Sequence, residues 1–514
     1  MTFEALLARE FGTLPELVAH HARARPNAVA LVKDDVRVDY RTLDATMDRI
    51  AAGLQREGLT SGDIIAVCAK TSITYAMLFL GALRAGVTVS PLAPSSTPAS
   101  IAAMVTDCDA KLFFLDASVA QELATLEKPV AVRRIALDDS DAGRPFGTWM
   151  AEAGAKPQPA VVAPDQAFNI IYSSGTTGEP KGIVQSYRMR WMQLFRAANL
   201  GYDAGTVSLL STPLYSNTTL VCFLPTIGFG GTVVLMEKFD AGGFLQLAEK
   251  HRVTHAMLVP VQYQRIMAVP DFDRYDLTSF RHKLSTSAPF SAALKADVLK
   301  RWPGGLTEYY GMTEGGGTCC LEAHLHPDKL HTVGKPLPGH DIRLIDESGR
   351  EVAQGEIGEV VGHSQATMNG YYKRPDKTAA AEWYDKAGVR FIRTGDVGRF
   401  DADGFLTLMD RKKDMIISGG FNIYPSDLEG VLAQHPDVSE AAVVGIPSQE
   451  WGETPVAFVV VKASAAHTAD DLRSWTNARV GKTQRLAAVR LVDALPRSAI
   501  GKVLKRELRD GYRA

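Results

Sequence analysis

The stretch Tyr172-Ser173-Ser174-Gly175-Thr176-Thr177-Gly178-Glu179-Pro180-Lys181-Gly182 decides how the rest of the chain is read. It follows the apolar run Phe168-Asn169-Ile170-Ile171-Tyr172, which reads as a buried strand. Its glycines remove side chains where a ligand must come close to the backbone. Ser173, Ser174, Thr176 and Thr177 offer hydroxyl donors to phosphate oxygens, alongside freed backbone N–H groups. Lys181 adds a point charge. A loop folding over a polyphosphate is the chemistry implied. It is not the usual P-loop, which ends Gly-Lys-Ser/Thr and opens a helix. Here Pro180 precedes Lys181 and holds Glu179 extended.

The string resembles the phosphate loop of the adenylate-forming superfamily, which includes acyl- and aryl-CoA synthetases, luciferases and the adenylation domains of peptide synthetases. Members activate a carboxylate with ATP as an acyl-adenylate and pass the acyl group to a thiol.

The bulk composition agrees with such an enzyme. A chain of 514 residues is too long for one core and predicts at least two domains. Hydrophobic content of 46% and charged content of 22% are ordinary for a globular protein, and a net charge of −2 gives no footprint for nucleic acid. Cys68, Cys108, Cys222, Cys319 and Cys320 have no metal-like spacing and suit a reducing compartment. No signal-peptide pattern or membrane-length apolar run is visible, so a cytoplasmic location is expected.

Upstream of the loop, helix and strand patterns alternate. Leu43, Met47, Ile50 and Leu54 recur at helical spacing within residues 41–57. Ile64–Cys68 reads as a strand, 74–84 as a helix, 87–92 as a strand, 101–106 as a helix and 112–115 as a strand. This rhythm predicts parallel sheet covered by helices. Residues 140–164, rich in Ala, Gly and Pro, read as a loop. Downstream, 188–200 reads as a helix, 230–236 as a strand and 243–250 as a helix.

Further motifs appear in the superfamily's order, and the resemblance supplies their roles. Tyr215, Ser216 and Asn217 fall where relatives line the acyl pocket, with Ser216 at a place often held by His. Val253–Pro260 resembles another pocket wall and includes His255 and Met257, the histidine being as readily structural as catalytic. Ser285-Thr286-Ser287-Ala288-Pro289 stands for the usual Gly-Gly-Ala-Pro turn near adenine, two glycines having become Thr286 and Ser287. Tyr310-Gly311-Met312-Thr313-Glu314 implies a flat face for adenine, a hydroxyl for the α-phosphate and a Mg²⁺ ligand in Glu314. Glu308 and Tyr309 precede it, Glu308 as an acceptor for the adenine amino group. Gly315 and Gly316 follow and leave room for a bulky acyl group.

Thr394-Gly395-Asp396 matches the ribose motif, with Asp396 accepting from both hydroxyls. Within Asp410–Asp414, Arg411 would contact ribose and Lys413 falls at the family's hinge. Gly419 and Gly420 are placed where a pantetheine arm passes, and Trp451 where CoA packs. Lys502, in Pro496–Leu504, matches the catalytic lysine. Residues 482–486 depart from the pattern that touches the CoA nucleotide in many relatives.

The expected fold is α/β. A large N-terminal domain of parallel-sheet layers plus a small β subdomain (residues 1–410) binds ATP and acid, and a hinge joins it to a small, mobile α+β lid (411–514). The expected function is an AMP-forming carboxylic acid–CoA ligase using ATP, Mg²⁺ and coenzyme A. Trp191, Ser285 and the pocket residues above are aromatic, apolar or hydroxylic, with no Arg or Lys among them. That composition favours an aryl or arylpropenoic acid over a dicarboxylate. A medium-chain or alicyclic fatty acid and the loading of a carrier protein stay open, as does a homodimer. A non-catalytic binding module is disfavoured because Lys502, Glu314 and Asp396 are all present.

Overall fold

The computed structural model describes residues 2–173, 180–411, 414–418, 421–449, 451–462, 467–481, 484–498 and 502–512. Of the expected site, Ser174, Gly175, Thr176, Thr177, Gly178, Lys413, Gly419 and Gly420 lie outside the described residues. The chain forms two compact units. The first holds residues 1–330, 336–341 and 362–392; the second holds 331–335, 342–361 and 393–514.

The first unit is built on two sheets. One runs, in spatial order, Gly370–Tyr371, Lys181–Ser186, Ala167–Ser173, Thr88–Pro91, Ile64–Cys68, Leu112–Leu115, Arg133–Ala136 and Arg144–Pro145. The pairs from Thr88–Pro91 to Arg144–Pro145 are parallel, as the alternating pattern predicts. The other includes Cys319–Glu322, Gly305–Tyr310, His282–Ser285, His255–Leu258, Val207–Leu210, Thr232–Leu235 and Val29–Lys33. The successive pairs between Val29–Lys33 and Gly305–Tyr310 are also parallel, whereas Cys319–Glu322 pairs antiparallel with Gly305–Tyr310.

One apolar core joins the two sheets. It takes Leu31 and Val233 from one sheet, Ile65, Val67 and Phe114 from the other, and Leu43, Met47, Phe79 and Phe223 from helices. Helix Tyr40–Arg56 begins at Asp39, whose carboxylate accepts from the Thr42 N–H at 2.8 Å. Helix Ile73–Arg84 begins at Ser72 in the same way. The two helices meet closely because Gly81 carries no Cβ, which would sit 2.6 Å from Ile50 Cβ.

The segment read as a plain loop, 140–164, differs from expectation. It contains strand Arg144–Pro145 and a short helix, Phe146–Trp149. Trp149 is wholly buried, edge-on to Phe114 at 5.0 Å. Two large aromatics outweigh the Ala/Gly/Pro background, since each removes a large apolar area from water.

In the second unit, residues 342–345, 358–361, 393–400 and 406–411 form strands of one sheet. The C-terminal part is α+β. Its sheet orders Phe421–Ile423, Ile416–Ser418, Gly452–Val461 and Val438–Ser448, with Ala488–Leu491 parallel to Gly452–Val461. Helices Pro425–Leu432 and Ala469–Asn477 cover it over Leu428, Leu432, Val443, Val459 and Leu472. The sequence-expected boundary at 410/411 falls within strand Leu406–Arg411.

Candidate active site

Three parallel strands of the first unit, His255–Leu258, His282–Ser285 and Gly305–Tyr310, end side by side. Ligands in open α/β sheets gather beyond such carboxyl ends. Met257 is near the end of the first strand, Ser285 to Pro289 follow the second, and Tyr309 to Glu314 end and follow the third. From the other sheet, Ser173 and Lys181 are cross-strand partners that flank the phosphate string.

Strand Gly370–Tyr371 pairs antiparallel with Lys181–Ser186, bringing Tyr371 opposite Ile183. The Tyr371 hydroxyl donates to Glu314 Oε1 at 2.8 Å, and the Lys181 ammonium lies 5.3 Å from the same ring. Burial and the adjoining carboxylate raise the tyrosine's pKa, so it stays a donor. Tyr371 was not singled out as a site residue in the sequence. The signal available was its place in Gly370-Tyr371-Tyr372, but its contact with Glu314 spans 57 residues.

Glu314 is held further through its backbone, its carbonyl accepting from the Met368 N–H at 2.8 Å. Gly315 and Gly316 serve the backbone here rather than leaving space. They have φ of 77° and 79°, and an added Cβ would stand 2.0 Å from the Ala366 carbonyl oxygen or 2.7 Å from that of Gly362. The room expected for an acyl group at these two glycines is filled by main chain.

Other expected pocket residues are placed unequally. Ser216 caps helix Asn217–Gly228, its hydroxyl accepting from the Thr218 N–H at 3.3 Å. Asn217 Oδ1 faces Gln185 Nε2 at 3.5 Å. Tyr215 is partly buried with its phenol pKa raised by burial. Met257 and Trp191 belong to the core cluster, each only 2% exposed, and Trp191 leans on the N-terminal segment near Arg9 and Gly12. Tyr309 packs on that core, while Tyr310 and Gly311 are half-buried or exposed at the strand end. Thr313 is half-buried and its carbonyl accepts from Gln185 Nε2 at 2.7 Å.

Glu308 departs from its expected role as an acceptor for adenine. Its carboxylate is 4% exposed and forms an ion pair with Lys295, which also donates to the Leu330 carbonyl. Burial pushes the Glu308 carboxyl up to about 7, with Lys295 opposing the rise. His255 is structural. Its Nε2 meets the Leu200 carbonyl at 2.9 Å, so Nε2 carries the proton and Nδ1 accepts from Thr254 at 2.8 Å.

The turn at 285–289, expected near adenine, keeps a glycine's geometry without the glycine. Ser287 has φ of 81°, and its hydroxyl bonds that of Thr218 at 2.8 Å. Ala288 continues the turn half-buried and Pro289 is exposed.

In the second unit, Asp396 and Arg411 are direct cross-strand partners. The Asp396 N–H donates to the Thr394 hydroxyl at 3.0 Å, and that hydroxyl donates to the Val360 carbonyl at 2.9 Å. Ser418 pairs with Gly452, the residue after Trp451, which is 52% exposed. Lys502 donates its N–H to the Ser498 hydroxyl at 3.2 Å in a turn closed by an Arg497–Val503 bridge.

Glu314 suits a hard cation. Among the described residues one oxygen is taken by Tyr371 and no hydrogen bond reaches the other, and Mg²⁺ needs only one or two protein carboxylates beside phosphates and water.

Comparison with known proteins places this geometry. The model of the AMP-binding enzyme family matches residues 18–372, and that of the AMP-binding enzyme C-terminal domain matches 427–502. A fatty acid–[acyl-carrier-protein] ligase, ScoC, of Streptomyces coeruleorubidus is 31% identical over 97% of this chain and 96% of its own length. A 4-coumarate–CoA ligase-like protein of Oryza sativa subsp. japonica is 33% identical over 97% and 93%, and a feruloyl-CoA synthase of an Amycolatopsis species is 32% identical over 95% and 96%. Among solved structures, the amide bond synthetase McbA of Marinactinospora thermotolerans superposes with a TM-score of 0.86 at 28% identity, covering 98% of this chain and all of that one (100%). The chain therefore belongs to the AMP-binding enzyme family, the adenylate-forming enzymes that include the acyl- and aryl-CoA synthetases, and is an AMP-forming acid–thiol ligase working with ATP and Mg²⁺.

Proposed function

We propose that the acid is an aryl or arylpropenoic acid and that the acceptor is free CoA. The observation that carries this is the set of groups around the three strand ends. Tyr309 and Tyr310 offer aromatic surface, and Asn217, Ser287 and Thr218 offer neutral hydrogen bonds. A planar acid with a polar substituent fits such a lining. Relatives named for 4-coumarate and feruloyl-CoA support the same class. The exposed Trp451 beside the Ser418–Gly452 pairing supports CoA as the thiol. A fatty acid and a carrier-protein thiol form the second reading, favoured by the likeness to ScoC.

In the mechanism, the carboxylate oxygen attacks the α-phosphorus and the bond to the bridging oxygen breaks, releasing pyrophosphate. Two anions must approach, so the residues act mainly by charge and position. Lys502 offsets the charge of the carboxylate and the developing phosphoryl oxygens. The Thr313 hydroxyl contacts the α-phosphate, and Ser173 and Lys181, with the string between them, orient the leaving pyrophosphate. Asp396 and Arg411 would hold the ribose, and Glu314 would hold Mg²⁺, which would neutralise phosphate charge. The family resemblance implies a body (1–410) and a lid (411–514) with Lys413 at the hinge, a division that would let one site serve both half-reactions. No helix of the described residues is long and apolar enough to cross a membrane. A cytoplasmic location and a homodimer are further proposals, the first supported by five cysteines that form no disulfide.

The test is AMP release with ATP, Mg²⁺ and CoA against benzoates, cinnamates, cyclohexanecarboxylate and straight-chain acids. CoA-dependent turnover with one aromatic class, lost in Lys502→Ala, is expected. Pyrophosphate release without CoA consumption would move the acceptor to a carrier protein.

A further inference from the structure

Arg190, on helix Tyr187–Ala198, is 3% exposed. An arginine keeps its charge in a protein, so burying one without an acidic partner is costly. No ion pair compensates Arg190 among the described residues. Its Nε and Nη2 donate to Asn169 Oδ1 at 3.0 and 2.9 Å, Nη1 donates to Gln193 Oε1 at 2.8 Å, and Nη2 also donates to Gln185 Oε1. Phe168 lies against it at 5.8 Å. The guanidinium is thus solvated by three neutral amides, and its charge is left whole.

The amides lead directly to the candidate site. Asn169 and Gln185 are cross-strand partners, and Asn169 Nδ2 donates to Gln185 Oε1 at 2.9 Å. With its oxygen fixed by two donors, Gln185 must turn its Nε2 outward. That nitrogen donates to the Thr313 carbonyl at 2.7 Å and faces Asn217 Oδ1 at 3.5 Å. The tertiary fold brings Gln185 to Thr313 across 128 residues, and Arg190 fixes which end of the amide points there.

We propose that Arg190 is a positioning residue for adenylation, which fixes the Thr313 backbone through Gln185 and keeps an uncompensated positive charge beneath the meeting point of carboxylate and α-phosphate. The inference rests on the reading of Thr313 and Glu314 as the adenylation site. Arg190 does not bind the acid itself, because it is buried and four of its five N–H donors are taken by the amides. It acts by orienting a donor in advance and by a fixed field in a site from which water is largely excluded, where such charge has its greatest effect. Burial without a carboxylate lowers the guanidinium's pKa to about 9, in keeping with a strongly desolvated cation.

The experiment is acid-dependent ATP–pyrophosphate exchange, with thermal melting run beside it, on the wild type and on Asn169→Asp, Arg190→Met and Arg190→Lys. Asn169→Asp gives the guanidinium a carboxylate that cancels its charge, and it also removes the Nδ2 donor that holds Gln185 Oε1. It is expected to melt no lower than wild type and to lose about tenfold or more in exchange kcat. Arg190→Met is expected to lose more, as both orientation and charge go. Arg190→Lys is expected to regain part of the rate and to acquire a pH profile that falls as pH rises, because a buried amine loses its proton far sooner than a guanidinium. A wild-type rate in Asn169→Asp, or a pH profile for Arg190→Lys that matches wild type, would overturn the inference and leave Arg190 a packing residue. Failure of the wild-type protein to exchange pyrophosphate with any acid would overturn the adenylation reading and this inference with it.

Discussion

Tyr371 and Glu314 are joined by a hydrogen bond of 2.8 Å, and Tyr371 also carries the Lys181 ammonium against its ring at 5.3 Å. One tyrosine thus ties the exit of the phosphate string to the carboxylate that is proposed to hold Mg²⁺. A hydrogen bond to a charged group contributes about 1.5–3 kcal/mol. Tyr371→Phe is expected to keep the ring and lose that bond. The kcat for pyrophosphate exchange should fall about tenfold, and the Mg²⁺ concentration for half-activity should rise. Titrating Mg²⁺ against exchange rate checks this, and an unchanged midpoint would remove Tyr371 from the metal's support.

Gly315→Ala tests whether the glycine pair serves backbone or substrate. The new Cβ would lie 2.0 Å from the Ala366 oxygen, at φ of 77°. Main chain would have to move, at a cost of roughly 2–4 kcal/mol. Adenylation should be lost with every acid in the panel. Selective loss of bulky acids alone would instead mean that the glycine makes room for the acyl group.

Ser287 sits at φ of 81°, where a side chain is strained and glycine is not. Ser287→Ala keeps the strain and loses the bond to Thr218, whereas Ser287→Gly loses the bond and relieves the strain. The glycine variant should be the more stable of the two by about 1 kcal/mol. Denaturant unfolding measures the difference.

His21 and His255 are buried, and burial lowers each to about 4 from the usual 6.5. His21 meets the Gly228 carbonyl at 2.8 Å, as His255 meets that of Leu200. Between pH 6.5 and 4 the unfolded chain binds protons that the folded chain does not, so stability rises with pH across that window. It is fully present above 6.5 and is lost as pH falls toward 4. Each histidine accounts for on the order of 3 kcal/mol of this loss. Melting temperature should decline steeply over this range, and His255→Gln should flatten part of the slope. An equal slope in that variant would assign the acid sensitivity elsewhere.

Much of this protein was readable from local order alone. The phosphate string, Tyr310–Glu314, Thr394–Asp396 and the Lys502 turn are short runs whose chemistry depends on neighbours in sequence, and the apolar run 168–172 located the strand that enters the first of them. The family and α/β layering follow from those runs and their order. Trp149 escaped that reading because a brief helix held by tertiary packing has no period to detect. Glu308 looked available because its partner, Lys295, lies on a separate helix. The glycines after Glu314 looked like open space because the main chain that fills it comes from residues 362–366. Tyr371 and Arg190 gained their importance the same way. The chain itself determined which groups could do the chemistry. Only the tertiary structure decided which of them are held, spent or buried, because hydrogen bonds and burial between distant segments depend on distance in space and leave no period or spacing in sequence.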